Sequence, residues 1–361
     1  MLAYTLRRVL ISIPLLLCVL FASFSLLYAL PGDPVDAMLG RMRTEEAAQR
    51  IREQEGLNDP IPVQFGRYLQ DVIQGDFGRN QKKISVAGEL KVRLPATIEL
   101  AVAAIVIASI FGLLMGVTSA LRPRSLHDLI ALGVSLAGVS MPIFWLGLLM
   151  QRLLRRGGVL DEVSGFGGLP LGGRLSEQSL VRIDQLSLQS EVVDSEPLRR
   201  TGFHLIDSIF VFWDTSIFLD ALYHLFLPAL VLATVPMAII TRITRAAVLE
   251  QMSQNYVRTA LAKGLGMAGA VRHALGNAAI PIVTSIGTQL GYLLGGAVLT
   301  ETIFNWPGLG TYIVEAILKE DVRPLQAGVL VIAGGFIVIN LLIDLSYALL
   351  DPRVRLDGAP S

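Results

Sequence analysis

The chain has 361 residues, 53% of them hydrophobic and only 17% charged, a balance foreign to soluble domains. Thirty basic and thirty acidic side chains cancel, which excludes the basic footprint of a nucleic-acid-binding protein. Long apolar runs separated by short polar ones mark an all-α integral membrane protein in contact with lipid.

The first run, residues 9–30, follows Arg7 and Arg8 in the manner of a signal peptide. It is longer than a signal core, lacks a small-residue cleavage site and ends in Pro31-Gly32-Asp33-Pro34, so it reads as a retained first span (1–30). Cys18 within it has no partner for an internal disulfide and reads as a small buried hydrophobe. An extracytoplasmic segment, 31–97, follows. A helix is expected at 44–56, with Thr44 capping and Glu45 and Glu46 opposing the dipole.

A five-helix core is expected over 98–350, with spans at 98–121, 129–154, 221–243, 280–299 and 327–350, each long enough to cross about 30 Å of hydrocarbon. Between the third and fourth spans lies an external loop, 155–220, whose polar stretch 176–200 shows little periodicity and reads as loop. Pro228 and Pro236 each remove a helix hydrogen bond from the fourth span and predict kinks, serving either motion or ordinary membrane-helix packing.

Residues 244–279 form a polar, basic connection. The stretch 246–262 contains no Gly or Pro and predicts a helix; Gly264, Gly266 and Gly269 then break the pattern, and a second short helix is expected at 270–279. Ala260 and Gly264 stand four apart, so they either share a bulk-free docking face or simply end the helix. Beyond it, Gly287, Gly291 and Gly295 make a small-residue stripe for close helix packing, within this chain or against a partner. Trp306, outside the fifth span, suits an interfacial anchor.

Six spans put both termini on one side. Arg7, Arg8, Arg122, Arg124, Arg242, Arg245, Arg258, Lys263, Arg272, Arg353 and Arg355 share that side, making it the cytoplasm and leaving 351–361 as a cytoplasmic tail. Arg152, Arg155 and Arg156 disagree locally, at the start of a long loop where the rule is weak.

Two stretches then carry a family signature. Residues Asn255-Tyr256-Val257-Arg258-Thr259-Ala260-Leu261-Ala262-Lys263-Gly264-Leu265 and Arg272-His273-Ala274-Leu275-Gly276-Asn277-Ala278-Ala279-Ile280-Pro281 resemble the cytoplasmic coupling loop of bacterial ABC importer permeases of the oligopeptide/dipeptide class. Weaker patches resemble the B-type subunit of that class: Leu30 to Pro34, Gly56 to Phe65, Gly75 to Gly78, Leu169 to Arg174, Thr201 to Asp207 and Glu301 to Gly310. The resemblance implies an inner-membrane permease whose coupling helix rests in a groove of an ATPase, with Tyr256, Arg258, Thr259, Ala260, Lys263, Gly264, Leu265 and Gly266 at that contact. It also implies a second permease subunit, two ATP-binding subunits and an extracytoplasmic solute-binding protein. Where the oldest form of the motif has Glu-Ala-Ala, this chain has Arg258, Thr259 and Ala260.

The sequence has no phosphate loop, no zinc-protease or serine-hydrolase motif, and its four histidines, His127, His204, His224 and His273, lack ligand spacing. No cofactor is expected. An ion-driven secondary carrier would need intramembrane carboxylates, but Glu99 and Asp220 lie at span edges, and His224 and Asp344 within a turn or two of one. An intramembrane enzyme would need a nucleophile and base, or a metal set, at membrane depth. The permease reading is therefore preferred.

Overall fold

A computed structural model describes residues 2–29, 35, 44–54, 56–155, 159, 162, 168–194 and 201–350. The patch at residues 30–34, Arg156, residues 195–200 and the tail 351–361 with Arg353 and Arg355 lie outside the described residues. Within them the fold is all-α: α1 (Leu2–Ala29), α2 (Glu45–Gln54), α3 (Ile61–Ile73), α4 (Val86–Leu121), α5 (Leu126–Ser140), α6 (Ile143–Leu154), α7 (Glu177–Asp194), α8 (His204–Phe210), α9 (Thr215–Met252), α10 (Asn255–Ala262), α11 (Met267–Gly296), α12 (Val298–Ile303), α13 (Leu309–Leu318) and α14 (Val322–Leu350).

Among the described residues, five helices are long and apolar enough to cross a membrane, in α1, α4, α9, α11 and α14. The third expected span is instead broken into α5 and α6, bent by 105°. Proline explains the break: Pro142 has no N–H for the Gly138 carbonyl, and Met141 before it adopts extended geometry. α6 then starts from Pro142 without a side-chain cap.

The other spans outrun their apolar cores. α4 begins at Val86, where the Ser85 hydroxyl accepts from Gly88 N, and α9 begins at Thr215, where the Asp214 carboxylate accepts from Ser216 N and Ile217 N. α9 runs on as one 38-residue helix through Pro228 and Pro236. α4 and α9 make the most extensive contact in the molecule. Its closeness depends on glycine: a methyl group on Gly116 would lie 2.6 Å from Thr244 Cβ and 2.8 Å from the Thr241 carbonyl, and one on Gly112 would lie 2.9 Å from Ile240. α11 packs on α9, α14 on α11, and α1 on α14. The glycine stripe of α11 works within the chain, Gly287 against Ile343, Gly291 against Phe336 and Gly295 against Ile332 of α14.

α1 and α14 run antiparallel. Ser23 and Phe24 bond Gln326 at one end, and Arg8 pairs with Asp344 at 3.0 Å at the other, so the start of α1 and the end of α14 share a face. Exposed side chains such as Leu10, Leu17, Val102, Val106 and Phe111 cover the outer faces of α1 and α4, as lipid contact requires. Cys18 also faces outward on α1 rather than into a core, because an apolar run in a membrane need not be buried in protein.

On the face opposite the termini, three sequence expectations are corrected. The stretch read as loop contains α7: the Ser176 hydroxyl accepts from Ser179 N at 3.3 Å, Asp220 accepts from Ser176 N and Oγ, and Ile183 packs with Leu175, Ile217 and Ala221. Trp306 is 1% exposed, not an interfacial anchor, since its indole N–H donates to the Ala96 carbonyl at 2.9 Å and needs no headgroup. Glu99 lies well inside α4, where Arg174 donates to it at 2.6 Å and Leu205 N at 2.8 Å; the guanidinium also sits 5.7 Å from the Trp306 ring centroid.

Glu301, on α12 outside the crossing helices, is fully buried and accepts from Thr97 Oγ1 at 2.6 Å and Thr311 N at 3.0 Å. Gly308 closes over it: a methyl group there would lie 2.2 Å from Glu301 Oε1. Burial holds this carboxyl above the usual glutamate range.

Two outcomes are expected of the purified chain in detergent. Gly116→Ala overpacks the α4–α9 crossing and lowers stability by about 1–3 kcal/mol, whereas Gly133→Ala, where nothing lies within 4 Å, does not; thermal unfolding reads the difference. Because folding raises the Glu301 pKa, the folded state holds the proton more tightly, so this group's contribution declines as pH rises from the ordinary glutamate value through the folded one. Glu301→Gln should therefore flatten the decline of the unfolding temperature with pH; an unchanged slope would count against the assignment.

Candidate functional site

The polar connection folds as a short helix between two long ones. Instead of one helix over 246–262, α9 ends at Met252, with Ser253 N and Oγ both donating to the Glu250 carbonyl, at 3.1 and 2.7 Å. Gln254 is extended, and its carbonyl accepts from Val257 N and Arg258 N to start α10. Serine bonding back to a carbonyl competes with helix continuation, a signal present in Ser253.

α10 ends in a Schellman motif: Leu265 N donates to Ala260 O at 3.1 Å and Gly264 N to Leu261 O at 3.0 Å. Gly264, at φ +88°, occupies the left-handed position that glycine fills without strain. It thus stands past the helix end and does not share a face with Ala260. The second expected helix, 270–279, is not separate. α11 starts at Met267 and runs through Gly276 and Pro281 into the membrane. Ala270, Ala274 and Ala278 are its buried inner stripe, which lets it lie close against its neighbours.

Only Val257 of α10 is buried, at 1% exposure. Tyr256, Arg258, Thr259, Lys263, Gly264 and Gly266 are exposed, and Ala260 and Leu265 are half-buried. Tyr256, Thr259, Ala260 and Lys263 line one face by their three- and four-residue spacing. The exposed apolar groups Tyr256, Leu261 and Met267 stand among Arg258, Lys263 and Arg272, for which no ion pair occurs among the described residues. A small basic and apolar surface, held up by one buried residue, is suited to receive another protein.

Sequence reasoning missed Asp128, which is held by the α9 stretch that leads to this surface. It is buried in the first turn of α5, and Arg245 of α9 donates to both its oxygens, at 2.6 and 2.8 Å. Ser125, three residues ahead, accepts from Asp128 N, and that capping spacing was a readable signal. No cluster of three His, Cys, Asp or Glu side chains suited to a metal occurs among the described residues.

Comparison with known proteins gives consistent likenesses. The family described as "Binding-protein-dependent transport system inner membrane component" matches residues 108–356, and its companion "Binding-prot-dependent transport system membrane comp, N-term" matches residues 1–88. The chain is 41% identical to the dipeptide transport system permease protein DppB of Escherichia coli K12, covering 98% of this chain and 99% of that one. It is 39% identical to the dipeptide transport system permease protein DppB of Alkalihalophilus pseudofirmus, over 98% of this chain and 100% of the relative. To the oligopeptide transport system permease protein AppB of Bacillus subtilis it is 34% identical, over 98% and 100%.

The cap geometry separates two neighbouring glycines. Gly264→Ala forces an L-residue into the left-handed region at a cost of about 1–2 kcal/mol, and amide exchange at Leu265 should quicken correspondingly. Gly266, at φ −66° with nothing within 4 Å of its side-chain position, should tolerate alanine without change.

Proposed function

The chain belongs to the inner-membrane components of binding-protein-dependent transport systems, and from that premise we propose that it imports peptides and docks its ATPase through α10. It is a multi-pass permease subunit of an ABC importer, a transport component rather than an enzyme, and ATP hydrolysis belongs to separate subunits. That membership displaces the ion-driven carrier.

Peptide is the proposed solute because the relatives named above are dipeptide and oligopeptide permeases. A second permease chain completes the path, two ATP-binding subunits sit on the cytoplasmic face, and an extracytoplasmic solute-binding protein delivers the load. Both termini and α10 are cytoplasmic in this reading, by the basic residues gathered there. Closure of the ATPases moves α10, and the spans alternate between outward and inward access.

The observation that carries the docking reading is α10 itself, exposed along its length, apolar and basic, and pinned by Val257 alone. Tyr256, Arg258, Thr259, Ala260 and Lys263 supply the contact. Gly264, Leu265 and Gly266 shape its end.

Affinity purification from gently solubilised membranes tests this. The wild-type chain should bring an ATP-hydrolysing subunit with it, and Leu261→Glu, at an exposed helix position, should lose that subunit and peptide uptake while keeping its membrane level. Retention of both by Leu261→Glu would remove α10 from the contact. A wild-type chain that brings no ATPase would overturn the docking scheme.

A further inference from the structure

Asp128 gathers four donors from three separate stretches. Arg245 of α9 donates through Nε and Nη2 at 2.6 and 2.8 Å, Arg124 N of the α4–α5 loop at 2.8 Å, and the Ser119 hydroxyl of the last turn of α4 completes the set. The carboxylate is 3% exposed. Forked pairing of this kind fixes orientation as well as distance. Immediately beside it, Gly116 brings α4 against Thr241 and Thr244 of α9. The end of α4, the start of α5 and the body of α9 are thus fastened at one point.

The position of that point matters. Arg245 lies about 10 Å along α9 from its end at Met252, by the rise of an α-helix, and only Ser253 and Gln254 separate α9 from α10. A displacement of α10 reaches the membrane through this last stretch of α9 as well as through α11, on which α10 packs. What α9 grips there moves with it, and through Asp128 it grips α4 and α5. α5 in turn leads to the bend at Pro142.

We propose that Asp128 is a positioning residue for transport, clamping α9 to α4 and α5 through Arg245 so that movement of the α10 region is delivered to all three helices as one body. The proposal rests on the importer reading above and adds the part that transmits the stroke. Loss of the clamp should leave ATP hydrolysis running with little solute moved. A residue that merely stabilises the fold would lower the amount of importer, its ATPase activity and its uptake together, leaving uptake per ATP unchanged.

The test uses the importer assembled with its partner subunits in vesicles. Uptake of radiolabelled dialanine per ATP hydrolysed should fall about tenfold in Asp128→Asn, within the usual span of site-to-site coupling. A ratio equal to wild type would overturn the proposal. Arg245→Lys keeps the charge but cannot form the fork, and it serves where Asp128→Asn does not assemble: a reduced ratio supports the clamp and an unchanged one overturns it.

A second readout needs no solute. With Cys18→Ser removing the one native thiol, spin labels placed at Glu250 on α9 and Leu136 on α5, both exposed, report the distance between the two helices. On adding a non-hydrolysable ATP analogue, that distance should hold in wild type and shift in the variant. A shift in wild type, or none in the variant, sinks the clamp. Should wild type import no dialanine, the peptide reading fails, and the labels still decide the clamp.

Discussion

The close crossing of α4 and α9 is the constraint from which the rest of the chain is built. Two helices of 36 and 38 residues meet where glycine leaves no side chain, so Thr241 and Thr244 of one lie against Gly116 of the other. In lipid no hydrophobic force drives helices together; contact area and satisfied polar groups do. A single added methyl group at Gly116 would clash with the Thr241 carbonyl and the Thr244 side chain, so the crossing would have to shift. α11, α14 and α1 are then layered outward, each on the one before, and the glycines of α11 repeat the same device against α14.

Polar residues pin this scaffold at both ends. On one face the Glu99–Arg174 pair, the enclosed Glu301 and the Trp306 indole tie α4, α12 and the loop before α7 into one unit. On the other face Asp128 and Arg245 join α4, α5 and α9. Pairing and further hydrogen bonds, as Glu99 has with Arg174 and Leu205 N, offset the penalty of burying these charges. They also leave the two ends unlike: one is locked by buried groups, while α10 at the other is exposed.

Much of this architecture was legible in the sequence, because apolar runs report hydrocarbon thickness directly. The long apolar helices and the basic connection between two of them followed from run length and charge, whereas the connection's helices did not: 246–262 breaks at Ser253, and 270–279 belongs to α11. Helix ends did not follow so well. A run such as 98–121 shows where lipid begins, but α4 continues to Val86 on a serine cap that hydropathy does not register. Pro142 was hidden for a related reason, since composition over a window is blind to one missing N–H. The partners of Glu99 and Asp128 lie 75 and 117 residues away, beyond any local pattern. α7 was readable in part: Ser176 and the spacing of Leu180, Ile183 and Leu186 are a helix start and an apolar face, outweighed by the polar residues around them.

The bend at Pro142 carries a condition on where this protein can exist. A bilayer entered at the start of α5 would hold it roughly 22 Å of helix inward, with Ser140, Met141 and Pro142 all exposed and no side-chain cap on α6. Hydrocarbon offers nothing to peptide groups left open at that depth, and each one stranded there costs several kcal/mol. This side of the chain must therefore meet water or another polypeptide.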